Sequence, residues 1–325
     1  MNRRNVLHQL AVAPLGLLGV ATARAQGTYP DRPVRILAGV PAGAGPDVEA
    51  RQFAAALQAE LGRAVLVENR PGFSRLLAMD ALAKATPDGY TLCMGTPNNL
   101  TAHPRLVDRP LYNVDKDIAP ISLAIEHPWL LYVNAKVPAR TLAEFVALAK
   151  ASPGRISCAS AGVGSFQHLT AEWFQKQAGI RLNHIPYGTT HWQTDLVAGT
   201  VDATFYPLVG MVDHVRSGKL RALAVASAGR SPMLPDVPTF TGAGYAEYSA
   251  RAWAGLVAPA ATPLPVIERL AQASARAVQR PEFREFAAKF GAVSVGSSPA
   301  DFARYLRNER GQLQALIAEN NIRVD

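Results

Sequence analysis

Short apolar, β-branched runs alternate along the chain with longer stretches in which apolar residues recur every third or fourth position. The first kind of run predicts strands and the second predicts helices. Residues 33–40 read as a strand that ends in a glycine-rich turn, Pro41-Ala42-Gly43-Ala44-Gly45-Pro46. Asp47 stands where a helix N-cap belongs, its carboxylate able to accept free backbone N–H groups. Phe53, Leu57 and Leu61 then share one helical face that stops at Gly62. Strands follow at 64–69 and 90–96, with a helix to about residue 85 between them. Regions 118–125 and 129–134 read as two further strands. Thr141-Leu142-Ala143-Glu144 is a capping box, and its helix stops at Pro153-Gly154. Residues 156–160 form a strand, and Ala161-Gly162-Val163-Gly164-Ser165 turns into a helix carrying His168, Leu169, Trp173 and Phe174. Strands at 181–186, 201–205, 220–226 and 253–258 come next. Helices at 263–279, 281–290 and 299–319 close the chain, the last capped by Ser298. Alternation of this kind predicts an α/β fold whose sheet is largely parallel and covered on both faces. Proline and glycine are spread as punctuation and mark no long linker, so ordered strands should cross any domain boundary.

The N-terminus breaks the pattern. A basic opening with Arg3-Arg4 precedes an apolar run from Leu10 to Thr22, and Ala23-Arg24-Ala25 has the form of a cleavage site. Residues 1–25 therefore read as a secretory signal peptide, with Gln26 as the mature start. Arg3-Arg4 fits either a general secretory n-region or a twin-arginine signal. No cysteine follows the run to carry a lipid anchor. Cleavage removes three arginines and no acid from a formal charge of +8. The remaining basic surplus is evenly spread, whereas a nucleic-acid binder needs a concentrated stripe. Hydrophobic residues at 49% and charged residues at 18% give ample core material and exclude a disordered chain. Cys93 and Cys158 both fall inside strands and read as buried packing residues, although an oxidising compartment leaves a bridge open. Histidines are scattered singly, so no metal site and no cofactor is expected.

Chemistry concentrates at strand ends. The 41–47 turn follows a strand and opens a helix, where free N–H groups and the helix dipole favour an anion. Its Gly43-Ala44-Gly45 start fails the dinucleotide fingerprint, because Val48 fills the third glycine slot, and it lacks a P-loop Lys-Ser/Thr. The stretch from Ser160 to His168 repeats the device, with Gln167 in the third slot. Ser165 can cap its helix or donate to a bound oxygen, and His168 lies one turn further on the same side. Ser160 or Ser165 with His168 thus raises the alternative of a secreted serine hydrolase. The nucleophile elbow G-x-S-x-G is absent, however, since Cys158 occupies its first glycine slot around Ser160. Tyr187, before Gly188-Thr189-Thr190, and Tyr206 add two more strand-end candidates. Donor-rich turns without a catalytic set favour binding over turnover, so no enzyme is expected.

Several motifs carry a resemblance that spans nearly the whole mature chain. They are Val67-Glu68-Asn69-Arg70-Pro71-Gly72, Pro87-Asp88-Gly89-Tyr90-Thr91-Leu92, Ala159-Ser160-Ala161-Gly162 through His168, and Leu220-Arg221-Ala222-Leu223-Ala224-Val225. Ser231-Pro232 and Leu234-Pro235-Asp236-Val237-Pro238-Thr239 add to them. The chain resembles the Bug receptors, the periplasmic solute-binding components of tripartite tricarboxylate transporters. The resemblance implies a type II periplasmic-binding-protein fold, with two α/β lobes joined by a two-crossing hinge. Lobe 1 would combine 26–125 with 253–325, and lobe 2 would span 126–252. It further implies a periplasmic receptor, expected as a monomer, that holds a small organic carboxylate between the lobes and delivers it to integral membrane permease subunits. The gripping loops match Val40, Gly43, Ala44, Gly45 and Asp47 on one side, and Ala161, Gly162, Gly164, Ser165 and His168 on the other. Phe73, Thr96, Asn98, Tyr187, Thr189 and Tyr206 complete the expected ligand-binding set.

This sequence departs from the family pattern at several of these places. Pro46 replaces a residue with an N–H donor. Phe73-Ser74-Arg75 is bulkier than the usual small residues and adds a charge. Gly188-Thr189-Thr190-His191-Trp192 stands where the family usually carries Lys-Gly, and Tyr206 stands where many members have an acid. Two readings stand: Phe73, Trp192 and Tyr206 narrow or line the cleft for a flatter, aromatic carboxylate, or the changes are ordinary drift with a ligand unchanged in class.

Overall fold

The computed structural model describes residues 29–72, 75–102, 110–187, 191–208 and 210–323. The first half of the molecule holds β1 (Val34–Ala38), α1 (Gly45–Leu61), β2 (Val65–Asn69), α2 (Leu76–Ala83), β3 (Thr91–Gly95), a π-helical turn at Asn98–Ala102 and α3 (Val114–Asp117). The chain leaves it along β4 (Ile118–Asn134). The second half holds α4 (Leu142–Ala151), β5 (Ser157–Ser160), α5 (Phe166–Ala178), β6 (Asn183–Pro186), α6 (Trp192–Ala198), β7 (Ala203–Pro207), α7 (Val212–Arg216) and β8 (Leu220–Val225). The chain returns along β9 (Arg251–Pro259) to α8 (Leu264–Ala277), α9 (Pro281–Lys289), β10 (Val293–Ser294) and α10 (Pro299–Glu319).

The strands run in the order β2-β1-β3-β9-β4-β7-β5-β6, with β8 and β10 also paired to β4. The pairs β1–β2, β1–β3, β5–β6 and β5–β7 are parallel. Every pair made by β4 or β9 is antiparallel. The expected largely parallel sheet is thus parallel only at its two ends. One strand carries the chain out of the first half and another brings it back, so the middle has to be antiparallel.

A second difference lies in β4, expected as two strands and found as one of 17 residues. The polar interruption Glu126-His127-Pro128 still pairs, opposite Trp253, Ala252 and Arg251. Beyond it Trp129–Val133 pair with β7. Register shifts at Pro120/Ser122 and Leu123/Ile125 blur the two-residue period that alternation relies on.

Local signals explain the helices that frame these strands. The Thr141–Glu144 capping box is formed, with Thr141 Oγ1 accepting the Glu144 N–H at 3.1 Å. Ser165 and Ser298 cap α5 and α10 as expected. Each half has its own core, around Ile36, Phe53, Leu57, Ile121 and Leu270 in the first and Leu131, Phe145, Phe174 and Phe205 in the second. α10 packs against both halves. Phe302 and Leu306 pack with Leu37, Trp253 and Val257, while Leu313, Leu316 and Ile317 join the core of the second half.

α10 also buries Glu309, which accepts hydrogen bonds from Trp253 Nε1 at 3.0 Å and the Tyr305 hydroxyl at 3.1 Å. Burial lifts its carboxyl from an ordinary 4.5 to about 7, against the opposing pull of Thr101, Trp253 and Tyr305. Between those values the folded state holds a proton that the unfolded state has released, so stability falls as pH rises through the window. Glu309→Gln should leave stability near pH 4.5 nearly unchanged and raise it by about 3 kcal/mol at pH 8. Urea unfolding at both pH values checks this, and an equal gain at the two would refute it.

Candidate functional site

The ends of β1 and β5 open from opposite halves onto one cavity of about 740 Å³. Val40, Gly45, Glu49, Arg75, Thr96 and Asn98 line it from the first half, and Ala161, Ser165, Phe166, Gln167 and Tyr206 from the second. The crossing strands add His127, Trp129 and Trp253, and the end of α9 adds Phe286 and Phe290.

Among the expected contacts, Val40, Gly45, Thr96, Asn98, Ala161, Ser165 and Tyr206 are in the lining. Gly43, Ala44, Asp47, Gly162, Gly164, His168 and Tyr187 are not. Phe73 and Thr189 lie outside the described residues. Trp192 is buried against Tyr206 at a ring separation of 4.7 Å and supports the wall without forming it.

The expected grip by main-chain amides needs correction. The Gly43 N–H donates to Asp47 Oδ2 at 2.8 Å and the Ala44 N–H to the Pro41 carbonyl at 3.3 Å. The Ala161 N–H donates to Gln167 Oε1 at 3.0 Å, Gly162 to Ser160 Oγ at 3.1 Å and Gly164 to His168 Nδ1 at 3.2 Å. A short turn into a helix has unpaired donors of its own, and side chains one turn downstream take them first. The amides of Gly45, Phe166 and Gln167, all in lining residues, have no acceptor among the described residues.

Asp47 is not the N-cap. That position is Ala44, and Pro46 places Asp47 inside the first turn. Its carboxylate instead ties the turn to its surroundings, accepting from Gly43, from Arg51 Nε at 2.9 Å and from Asn69 Nδ2 at 2.7 Å. Burial pushes the carboxyl up, but the Arg51, Asn69 and Gly43 hydrogen bonds outweigh it and hold the group down at about 2.

The hydrolase pairing does not form. Ser165 Oγ donates to the Gly162 carbonyl at 2.7 Å and accepts the His168 N–H at 3.2 Å, which is a cap. The His168 ring faces Gly164 through Nδ1 and Glu172 at 3.6 Å through Nε2. Ser160 Oγ meets His184 Nε2 at 2.6 Å, a contact that sequence spacing did not reveal, and His184 stacks on His168 at 3.7 Å. Burial, reinforced by His168, pulls His184 down to about 4. Ser160 is 1% exposed and outside the lining. Cys93 and Cys158 are free and buried in separate cores, with burial pushing both thiols up to about 12.

The charged groups of the cavity were not expected as contacts. Glu49 is buried on the first turns of α1 and accepts from His127 Nε2 at 2.6 Å. Arg75 caps α2 with a left-handed φ of 73°. A Cβ on Gly39 would lie 2.7 Å from the Arg75 Cβ and 3.0 Å from its Cα, so only glycine lets β1 approach this backbone. The Arg75 guanidinium makes no hydrogen bond or ion pair with any described residue. Burial lowers its pKa, which Glu49 and Tyr206 nearby partly offset.

Two lobes around one cleft at crossing strands define the periplasmic binding proteins, and comparison with known proteins narrows the class. The profile of the tripartite tricarboxylate transporter family receptor (TctC) matches residues 49–322, and the chain belongs to this family of solute-binding receptors. Protein BugT of Bordetella pertussis is 33% identical over 326 residues, covering 100% of both chains. A solved protein of R. palustris with adipate is 27% identical, with TM-score 0.76 over 91% of this chain and 99% of that one. MatC from Rhodopseudomonas palustris with bound malate is 29% identical, with TM-score 0.73 over 89% of this chain and 100% of that one.

Proposed function

We propose that the protein is a periplasmic receptor that captures a small carboxylate in this cleft without chemical turnover and hands it to the permease of a tripartite transporter. One observation carries the reading. Val40 and Gly45 on one side and Ala161, Ser165, Phe166 and Gln167 on the other open from opposite halves onto a single cavity that also receives Arg75, an arginine without a partner among the described residues. A ligand touching both sides is fully held only when they close on it, which couples binding to a hinge movement. Adipate and malate in the two solved relatives support carboxylates as the ligand class. In this reading lobe 1 is 26–125 with 253–325 and lobe 2 is 126–252, α10 being shared. The chain acts as a monomer after cleavage near Ala25.

Native mass spectrometry of freshly purified protein should show a small acid carried from the host. Adding that acid to stripped protein should reduce the radius of gyration in X-ray scattering. Affinity is expected in the micromolar range, roughly −8 kcal/mol. A protein that neither carries nor compacts around any carboxylate would defeat the reading.

A further inference from the structure

We infer that the cleft selects a monocarboxylate with a flat apolar body and a separate hydrogen-bond donor, and discriminates against dicarboxylates. Arg75 takes the carboxylate and Glu49 takes the donor. This inference rests on the receptor reading above and specifies its ligand.

The charge pattern comes first. Among the described lining residues Arg75 is the one permanent cation and Glu49 the one carboxylate. Arg75 has no protein partner there, and guanidinium matches a carboxylate with two parallel hydrogen bonds. The Tyr206 hydroxyl, from the opposite half, also has no hydrogen-bond partner among the described residues and is close enough for Arg75 to act on its ionisation. Both therefore suit one carboxylate bridging the halves. Glu49, near enough to Arg75 to offset its lowered pKa, gives the opposite preference. His127 donates to its Oε2, while Oε1 has no partner among the described residues. A hydroxyl or amino group on the ligand satisfies Oε1. A second carboxylate in its place meets like charge in a partly desolvated site and finds no second permanent cation among the described lining residues.

The walls supply the rest. Trp129, Trp253, Phe286 and Phe290 line the cavity with aromatic area, and the Tyr206 ring packs edge-on against Trp129 at 5.9 Å. Aromatic faces of this kind favour a ring or similar flat body over a flexible polar chain. Of the three aromatic residues expected in the lining, Tyr206 is there, Trp192 is not and Phe73 lies outside the described residues; Trp129, Trp253, Phe286 and Phe290, from the crossing strands and the end of α9, add to Tyr206.

Calorimetry with 4-hydroxybenzoate and terephthalate isolates the second charge, since the two share a ring and one carboxylate; adipate and malate extend the panel. The expected result is 4-hydroxybenzoate bound at least tenfold more tightly than any of the three dicarboxylates. Arg75→Gln should weaken it about a hundredfold, and Arg75→Lys, which keeps the charge but not the fork, by less. Glu49→Gln should bring terephthalate to within about threefold of 4-hydroxybenzoate. Circular dichroism melts confirm that each variant is folded. Tighter binding of a dicarboxylate to the wild type, or unchanged affinity in Arg75→Gln, overturns the inference and leaves the receptor reading standing. Silence from the whole panel overturns the inference. Absence of any carried acid or compaction overturns the receptor reading as well.

Discussion

Asp47→Ala is expected to destabilise the protein by about 3 kcal/mol at neutral pH, since charge-assisted hydrogen bonds to a buried carboxylate are worth about 1.5–3 kcal/mol each and partners left behind add a penalty. The carboxylate is 2% exposed and collects Gly43, Arg51 and Asn69. Alanine would remove the acceptor of the Gly43 N–H and leave Asn69 Nδ2 only the Val40 carbonyl, which it already holds at 3.0 Å. Arg51 is half in solvent, so its share of the loss is small. The pH dependence gives a second signature. The folded pKa of about 2 lies below the ordinary 3.8, so the stabilisation is complete above 3.8 and lost as pH falls through 2. The gap between wild type and variant should therefore shrink by about 2 kcal/mol on acidification across that window. Ligand affinity should fall at least tenfold in the variant, because Val40 and Gly45 in the cleft sit on the turn that Asp47 anchors. Urea titrations at several pH values measure the first effect and calorimetry the second. A pH-independent gap would refute the electrostatic account.

The parts of this molecule legible in the sequence are those whose causes are local. Phe53, Leu57 and Leu61 announce α1, Thr141 with Glu144 announces α4, and Ser165 announces the start of α5. Each depends on neighbours within a turn or two. The unity of β4 was not legible, because Glu126-His127-Pro128 interrupts the apolar pattern while β9, far along the chain, supplies the pairing that continues the strand. The cleft followed the same division. Glycine turns at strand ends marked where it would be, since that geometry is written in adjacent residues. Which amides remained free was not readable, because competing acceptors such as Gln167 Oε1 and His168 Nδ1 reach back only once the turn is folded. Arg75, Glu49 and His127 come from separate elements, and nothing in their sequence spacing brings them together. Phe286 and Phe290 stand four apart on α9, which reads as an ordinary helix face against a core. Only the sheet order shows that this face ends at the cavity.

Phe174→Ala should cost more than any other single change considered, about 3–5 kcal/mol for a buried phenylalanine. Its ring is 0% exposed and packs against Phe205, Phe240, Tyr245 and Tyr248 at centroid separations of 5.2–5.6 Å. Such edge-on pairs add about 0.5–1.5 kcal/mol each beyond area burial. How the loss spreads tests the architecture. Were the halves independent, the second would melt early and the first would keep its own transition. They share β4 without a break, and Leu313, Leu316 and Ile317 of α10 sit in the same core as Phe174 while Phe302 sits in the other half. Weakening one core therefore weakens the helix that braces both. The expected result is a single unfolding transition moved to lower urea, with hydrogen-exchange protection in β1 and β3 falling along with that in β5 and β7. Phe174→Leu, which keeps most of the apolar volume, should recover much of the loss. Two separate transitions, with β1 and β3 as protected as in the wild type, would mean that α10 and β4 connect the halves without coupling their stability. The hinge would then be a loose tether and not the braced joint that these contacts describe.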